Sequence, residues 1–576
     1  MENLVADEGL SATTPSLRRR LIAFAAAALA ALIGFTLAPQ PWPSGDATLE
    51  IVYRGSTHAT LPVELGSTEP LTFRIDGDAL RGTLELPDGA PTDAPIRATL
   101  QLDEEGGERP QLARLSARLI LPDGRSEPIP IVRSDQEAGT VQLLRRPPDG
   151  SSAVLALLGA VVVLWVTEAV PLFVTSLAIP VVLVVAGVGG PDDALAPFFH
   201  PIIALFFAGF LMAEAMRRTG LDHLAAITLV ARTGRSPLTL FAAMIVVSAF
   251  LSLWMSNTAA VAVLLPIALA VTEPLASVGY KRAVVLGIAY AATIGGVGSA
   301  IGTPANPLAI EFLRDFVGRD ISFVEWFTVG MPMVVLFLPL MGAYLWWRMR
   351  ARPEASRFVH AREIARRELQ EAGRPSRDQL VVLAVFLGVV AFWLTETWHG
   401  LETGIVALGG AVTLALLNKV LPEDLGRISW ASLLTFGGGL TLGFFLLSTG
   451  TSDWIATRLD GLSAIPAPIA ITVVATVTLA LTTVASNTAT AAMLVPLAIP
   501  LAGITGVDPV LMVLVVAVAS SVDFALVIGT PPTLLAYSTR LYTPGQIFRV
   551  GIVLDVVGIL LLSGVVVWIW GWVGVT

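Results

Sequence analysis

The chain contains no cysteine, which excludes disulfides, thiolate metal sites and cysteine nucleophiles together. Charge is scarce as well. Only 14% of the 576 residues are Asp, Glu, Lys or Arg, against 54% apolar, and the mean hydropathy is +0.74. The apolar part shows no histidine pair and no metal-ligand cluster, and its acids are not paired in sequence. A membrane enzyme is therefore the weakest reading, and nothing points to an organic cofactor or a nucleic-acid partner. What the chain does have is apolar runs. Stretches long enough to cross a bilayer, about 20 residues each, recur from Ser151 almost to the C-terminus. A soluble fold cannot hide so many, so they are read as membrane spans. The net charge of −9 says little as a total, because lipid and two aqueous compartments divide it.

At the N-terminus, Arg18, Arg19 and Arg20 precede the apolar run Leu21 to Ala38. This pattern fits a signal peptide or a first span. Eighteen residues is long for a signal core, and no clear small-x-small site precedes Pro39-Gln40-Pro41. The expectation is a retained span with a cytoplasmic N-terminus, so that residues 1–42 form a tail and first helix. Residues 43–148 differ in character. They hold 11 arginines and short alternating segments such as Leu49 to Tyr53 and Gly82 to Leu86, punctuated by Pro87-Asp88-Gly89 and Pro122-Asp123-Gly124. That pattern predicts a small antiparallel β domain, extracytoplasmic because it follows a span that starts inside.

Further spans are expected near 152–169, 172–189, 201–216, 283–313, 325–347, 378–396, 402–418, 431–448, 508–538 and 547–570, about 11 transmembrane helices with the first. Two more apolar segments, 238–271 and 467–503, are broken near their centres by polar triplets and read as re-entrant hairpins. The basic residues test this topology. Loops assigned to the inside carry 22 Lys and Arg, and outside loops apart from the β domain carry only Arg314, Arg319 and Arg458. A missed span would have mixed the two sets. Residues 351–377 form a basic cytoplasmic linker between two halves, 151–350 and 378–576, and the C-terminus falls outside.

The two halves repeat. Trp165-Val166-Thr167-Glu168 returns as Trp393-Leu394-Thr395-Glu396, and Thr219-Gly220 as Thr449-Gly450. Ser256-Asn257-Thr258-Ala259 returns as Ser486-Asn487-Thr488-Ala489, and Gly302-Thr303-Pro304 as Gly529-Thr530-Pro531. Thr219 to Ser256 and Thr449 to Ser486 are both 37 residues. Each half has five spans and one hairpin, an odd number of crossings, so the second half is inverted relative to the first. Inverted repeats place a site near the midplane, where interrupted helices meet.

A hairpin tip leaves backbone groups unpaired, which lipid does not tolerate unless they face protein or a wet cavity. Hydroxyls and an amide at such a tip offer oxygen ligands to a hard monovalent cation and donors to an anion. In each Gly-Thr-Pro, proline breaks the helix ladder and glycine lets backbone approach an ion. Half-helix N-termini then present partial positive charge. No Arg or Lys is expected at membrane depth, so a dianion has to be offset by dipoles, donors and bound cations. A single Ser-Asn-Thr triplet is as well explained by helix association; two at matching positions, each with a break, are not. Asp523, inside a span beside Ser520 and Ser521, is an ion-coupling or proton-linked candidate. Glu168 and Glu396 read as capping groups, and His200 and His223 as lone interfacial residues.

The paired Ser-Asn-Thr tips, the Gly-Thr-Pro breaks and the run Trp165 to Pro171 resemble the divalent anion/sodium symporter (DASS) family over residues 151–570. The resemblance implies a homodimer with an elevator-like transport domain. It implies substrates such as succinate, malate, fumarate, citrate or sulfate, with two or more sodium ions. Position by position, it implies one sodium site at Ser252, Ser256, Asn257 and Gly302, and another at Thr482, Ala485, Asn487 and Gly529. Substrate carboxylates would meet Asn257, Thr258, Thr303, Asn487, Thr488 and Thr530, with Pro531 nearby. The chain departs from the family pattern at Thr533, where asparagine is common, and at Asp523, where a neutral residue is expected. The leading expectation is a sodium-coupled C4-dicarboxylate importer. A sodium-independent exchanger, a sulfate or citrate carrier, and a transporter-like receptor sensing a partner through the β domain remain alternatives.

Overall fold

The computed structural model describes residues 17–37, nine strands between 46 and 145, and 151–575 apart from 234–235, 276, 351–357, 458–464 and 528. The turns read at 87–89 and 122–124, and Arg458, lie outside the described residues. Helix α1 (Leu17–Leu37) comes first. The strands that follow are β1 (Asp46–Tyr53), β2 (Ser56–Glu64), β3 (Leu71–Arg74), β4 (Arg81–Glu85), β5 (Ile96–Leu102), β6 (Leu115–Ile120), β7 (Ser126–Ile129), β8 (Ile131–Asp135) and β9 (Thr140–Arg145). They pair antiparallel throughout, as a four-stranded sheet β2-β1-β6-β7 and a five-stranded sheet β3-β4-β5-β9-β8. β1 joins its sheet through Asp46↔Glu64 on one side and Thr48↔Ile120 on the other.

The helical part begins with α2 (Ser151–Thr167), α3 (Leu172–Val185), α4 (Pro191–Leu195), α5 (Pro201–Thr219) and α6 (Leu221–Thr233). Then come α7 (Pro237–Ser252), α8 (Asn257–Thr272), α9 (Val278–Gly295), α10 (Ala305–Phe312) and α11 (Phe323–Arg348). After α12 (Phe358–Ala372) the plan recurs as α13 (Arg377–Leu394), α14 (Glu396–His399), α15 (Thr403–Leu416), α16 (Trp430–Ser448) and α17 (Thr451–Thr457). It continues with α18 (Ala467–Thr482), α19 (Asn487–Thr505), α20 (Pro509–Ala519), α21 (Pro531–Ser538) and α22 (Pro544–Leu560), which runs through a π turn into α23 (Val567–Val573).

Seven described helical stretches are long and apolar enough to cross a membrane, and seven more apolar helices are shorter. The short ones include α7, α18 and α20, the helices that stop at a tip or a break. Sequence chemistry sets the stops. Ser236 caps α7 with a reciprocal bond to Thr239, and Ser376 does the same for α13 with Gln379. Glu168 follows the last residue of α2 in the left-handed region at φ 47°. The amphipathic α6 and the short α17 have no counterpart among the expected spans.

Close packing depends on small residues. A Cβ at Gly34 would lie 2.6 Å from the Leu155 carbonyl oxygen, and one at Gly159 would lie 2.9 Å from that of Ala30, so α1 and α2 meet backbone to backbone. Helices α9 and α20 are the centre of the bundle: Ala283–Gly295 and Met512–Ala519 are buried without interruption. Outward residues are apolar too, with Val181 61% and Val246 59% exposed, the pattern of a surface that faces hydrocarbon.

Two knots of helices position the polar motifs. In the first, α7 and α8 pack on each other and on α9; in the second, α18 and α19 pack on each other and on α20. The half-helices are exchanged. α21 packs on α8 and α9, while α10 packs on α19 and α20. Each half-helix that follows a break therefore packs on helices of the other half, which ties the four motifs into one body.

Candidate functional site

Helix α7 stops at Ser252 and α8 starts at Asn257, so Leu253–Ser256 form a tight tip. The Ser256 hydroxyl accepts from the Ala259 N–H at 3.3 Å and caps α8. The Ser252 hydroxyl lies 2.6 Å from Asn257 Oδ1 and 2.7 Å from the Ala292 carbonyl oxygen. One hydroxyl has one proton, so it cannot satisfy both acceptors. More oxygens gather around two glycines of the first break. A Cβ at Gly296 would sit 2.5 Å from Asn257 Oδ1 and 2.9 Å from the Gly302 carbonyl oxygen. One at Gly302 would sit 2.5 Å from the Gly296 carbonyl oxygen and 2.7 Å from that of Ser252. Only glycine leaves this corner open. The structure thus brings Ser252, Asn257 and Gly302 together, and adds Gly296, which the motifs did not single out.

The second knot repeats the arrangement. The Thr482 hydroxyl lies 2.8 Å from Asn487 Oδ1 and 2.6 Å from the Ser520 carbonyl oxygen. Ser486 caps α19 through the Ala489 N–H at 3.1 Å, and Ala485 is buried in the tip. Gly529 lies against the carboxylate of Asp523. Thr303 and Thr530 are buried at the two breaks, Asn257, Thr258, Asn487 and Thr488 are partly buried at the helix starts, and Pro531 opens α21 at the surface. Four helices, α8, α10, α19 and α21, begin at these motifs, each leaving unpaired N–H groups and a positive dipole end.

The breaks expose carbonyls that neighbouring side chains satisfy. Asn306 Nδ2 donates toward the carbonyl oxygens of Gly296, Val297 and Ser299 at 3.0, 3.3 and 2.7 Å, and Trp326 donates to Val297 at 3.0 Å. In the second break Tyr290 donates to the Phe524 carbonyl oxygen at 2.7 Å, and Asp555 accepts from the Phe524 N–H at 2.8 Å. Thr533, standing where the first half has Asn306, instead bonds Thr530 at 2.9 Å.

His200 is not the lone residue expected from sequence. Its Nε2 lies 2.9 Å from buried Glu311 and 4.0 Å from Asp315. The three form a His-Glu-Asp cluster, which the sequence hid because His200 and Glu311 are 111 residues apart.

A family model described as citrate transporter matches residues 162–519, which spans both tips and the first break and ends at Ala519, before the second. Sodium-dependent dicarboxylate transporters named SdcS are similar along most of their length. That of Staphylococcus saprophyticus is 30% identical over 70% of this chain and 83% of its own. That of Staphylococcus aureus strain RF122 is 31% identical with the same coverage. The chain belongs to the divalent anion/sodium symporter family. As a member of that family it is a multi-pass membrane transporter and not an enzyme. Among solved structures, the YdaH transporter of Alcanivorax borkumensis aligns at TM-score 0.44 and 15% identity, over 66% of this chain and 88% of that one.

Proposed function

We propose that the protein imports a small dianion, a C4-dicarboxylate such as succinate, malate or fumarate, coupled to two or more sodium ions. The observation that carries the reading is the matched pair of oxygen clusters, Ser252–Asn257 and Thr482–Asn487, each beside a helix break. Neutral hydroxyl, amide and carbonyl oxygens in this number suit a hard monovalent cation. The sodium dependence named for the staphylococcal relatives supports the same assignment. The four helix N-termini then face the carboxylates, with Thr258, Thr303, Thr488 and Thr530 as donors. Bound cations offset charge that dipoles alone would leave bare.

In this reading the halves are inverted repeats, α7–α8 and α18–α19 are re-entrant, and the exchanged knots move together as an elevator within a homodimer. The arginine distribution supports a cytoplasmic N-terminus, an extracytoplasmic β domain and an extracytoplasmic C-terminus in the plasma membrane. The β domain then caps the outer face or meets a partner there.

The test is succinate uptake into proteoliposomes with an inward sodium gradient against choline. Uptake driven by sodium supports the reading. Uptake that needs internal succinate and ignores sodium replaces it with an exchanger. The citrate-transporter family model favours a tricarboxylate as second reading, and stronger competition by citrate than by malate would select it.

A further inference from the structure

The two cation corners are not equal. Counting back six residues from each Gly-Thr-Pro glycine reaches Gly296 in the first half and Asp523 in the second. The geometry gives the same equivalence independently. The side of Gly302 where a Cβ would point is filled by Gly296, and the same side of Gly529 is filled by the Asp523 carboxylate. A Cβ at Gly296 would point at Asn257 Oδ1 and the Gly302 carbonyl oxygen, the centre of the first oxygen corner. The Asp523 carboxylate lies against Gly529, and the repeat relation sets it on the side of the matching corner formed by Thr482 and Asn487.

Asp523 is 1% exposed, and neither of its carboxylate oxygens has a hydrogen-bond partner. No described ion pair reaches it. Nearby Asp555 adds a second acid, although that one is engaged by the Phe524 N–H. An ionised carboxylate so placed is untenable in a dry interior unless a cation or a proton compensates it.

We propose that Asp523 is an anionic ligand of the second cation site, so that this site binds sodium tightly before any dianion arrives while the first stays neutral and weaker. This rests on the sodium-coupled reading above and sharpens it. Charge count among oxygen ligands tunes affinity for hard cations over orders of magnitude, and here one site of a matched pair has gained a full negative charge. The dianion then completes the neutral site, where its own carboxylates supply the missing charge. The carrier in consequence retains one cation when empty of substrate.

The experiment is a sodium titration of the thermal stability of the purified full-length protein, with choline holding ionic strength and no substrate present. The wild type is expected to show a tight sodium phase. Asp523→Asn should raise the half-saturating sodium by about tenfold or more. Ser252→Ala, at the first site, should lower uptake yet keep the tight phase. Asp523→Gly, which copies the first half, is the second variant should the asparagine protein fail to fold, and it should behave alike. Wild-type sodium affinity in both Asp523 variants would overturn the proposal and leave sodium coupling intact. Stabilisation of the wild type by acid alone, with no sodium phase, would overturn it by showing a proton in that place. A wild type whose stability and uptake both ignore sodium would instead remove the underlying reading, and that result is visible without any variant.

Discussion

The first and second knots share a plan, and three of the positions at which they differ bear on the corners and breaks. The hydroxyl that faces the tip asparagine is Ser252 in one and Thr482 in the other. The residue that braces the break is Asn306 in one, while its counterpart Thr533 turns to Thr530. The third position is Gly296 against Asp523. The first two differences change how the backbone is held; the third changes charge. A repeat pair can thus keep its geometry through substitutions of hydroxyl for hydroxyl, and still divide its work by one carboxylate. The first break is tied by its own half, through Asn306 and Trp326. The second is tied partly across the repeat, by Tyr290 from α9, so its shape depends on both halves.

The largest expected effect removes the element common to both knots. Asn257→Ala and Asn487→Ala each delete the amide oxygen of a cation corner, and each is expected to reduce sodium-driven uptake by about 100-fold or more. A site assembled from several weak oxygen ligands tolerates the loss of one poorly. Size-exclusion profile and thermal unfolding should stay near wild type, because both residues lie at helix starts and are not core packing. Normal uptake in both variants would break the comparison at its root. Next comes Gly302→Ala, whose Cβ would press on the Gly296 and Ser252 carbonyl oxygens at 2.5 and 2.7 Å. Backbone does not give way cheaply, so both uptake and melting temperature should fall. The same change at Gly529 would press on the Asp523 side chain, which can rotate, so Gly529→Ala should be the milder of the two in melting temperature.

Much of this was legible in the sequence because apolar runs and polar interruptions are local signals. The spans expected at 325–347 and 431–448 are observed at Phe323–Arg348 and Trp430–Ser448. The tips fall where Ser-Asn-Thr follows a stop, and the breaks where proline ends a ladder. What the chain order hid is partnership. Nothing in the motif Gly-Thr-Pro-Ala-Asn says that Asn306 turns back to three carbonyls, or that α10 leaves its own half to pack on α19. The amphipathic α6 was missed because its 13 residues, with Asp222, His223 and Arg232 among them, are too short and polar to read as a span. Gly296 was findable: aligning the two breaks from their glycines sets it opposite Asp523, and the contrast of a glycine with a buried acid was the available signal.

Asn306→Thr makes the first break resemble the second. It deletes one amide nitrogen serving Gly296, Val297 and Ser299. Leaving buried carbonyls unsatisfied costs about 1–3 kcal/mol, so a lower melting temperature and weakened uptake are expected. Thr533→Asn in the same chain cannot restore it, since that residue serves the other break. Rescue by the double variant would mean that the two breaks exchange support more freely than their hydrogen bonds indicate.

The smallest effect probes the tie between halves. Tyr290→Phe removes only the hydroxyl that donates to the Phe524 carbonyl oxygen at 2.7 Å, and keeps the ring packed on Phe524. The net loss for such a bond is about 1 kcal/mol, enough for a small drop in melting temperature. Phe524 is the residue after Asp523, so its carbonyl helps fix where that carboxylate points. If the second corner is the charged one, Tyr290→Phe should weaken the tight sodium phase by a few-fold at most. The corresponding loss at the first break, Trp326→Phe, removes the donor to Val297 and should leave that phase unmoved. Equal shifts from both variants would mean that sodium senses the stability of the whole bundle, and the asymmetry between the knots would then be one of sequence without consequence for binding.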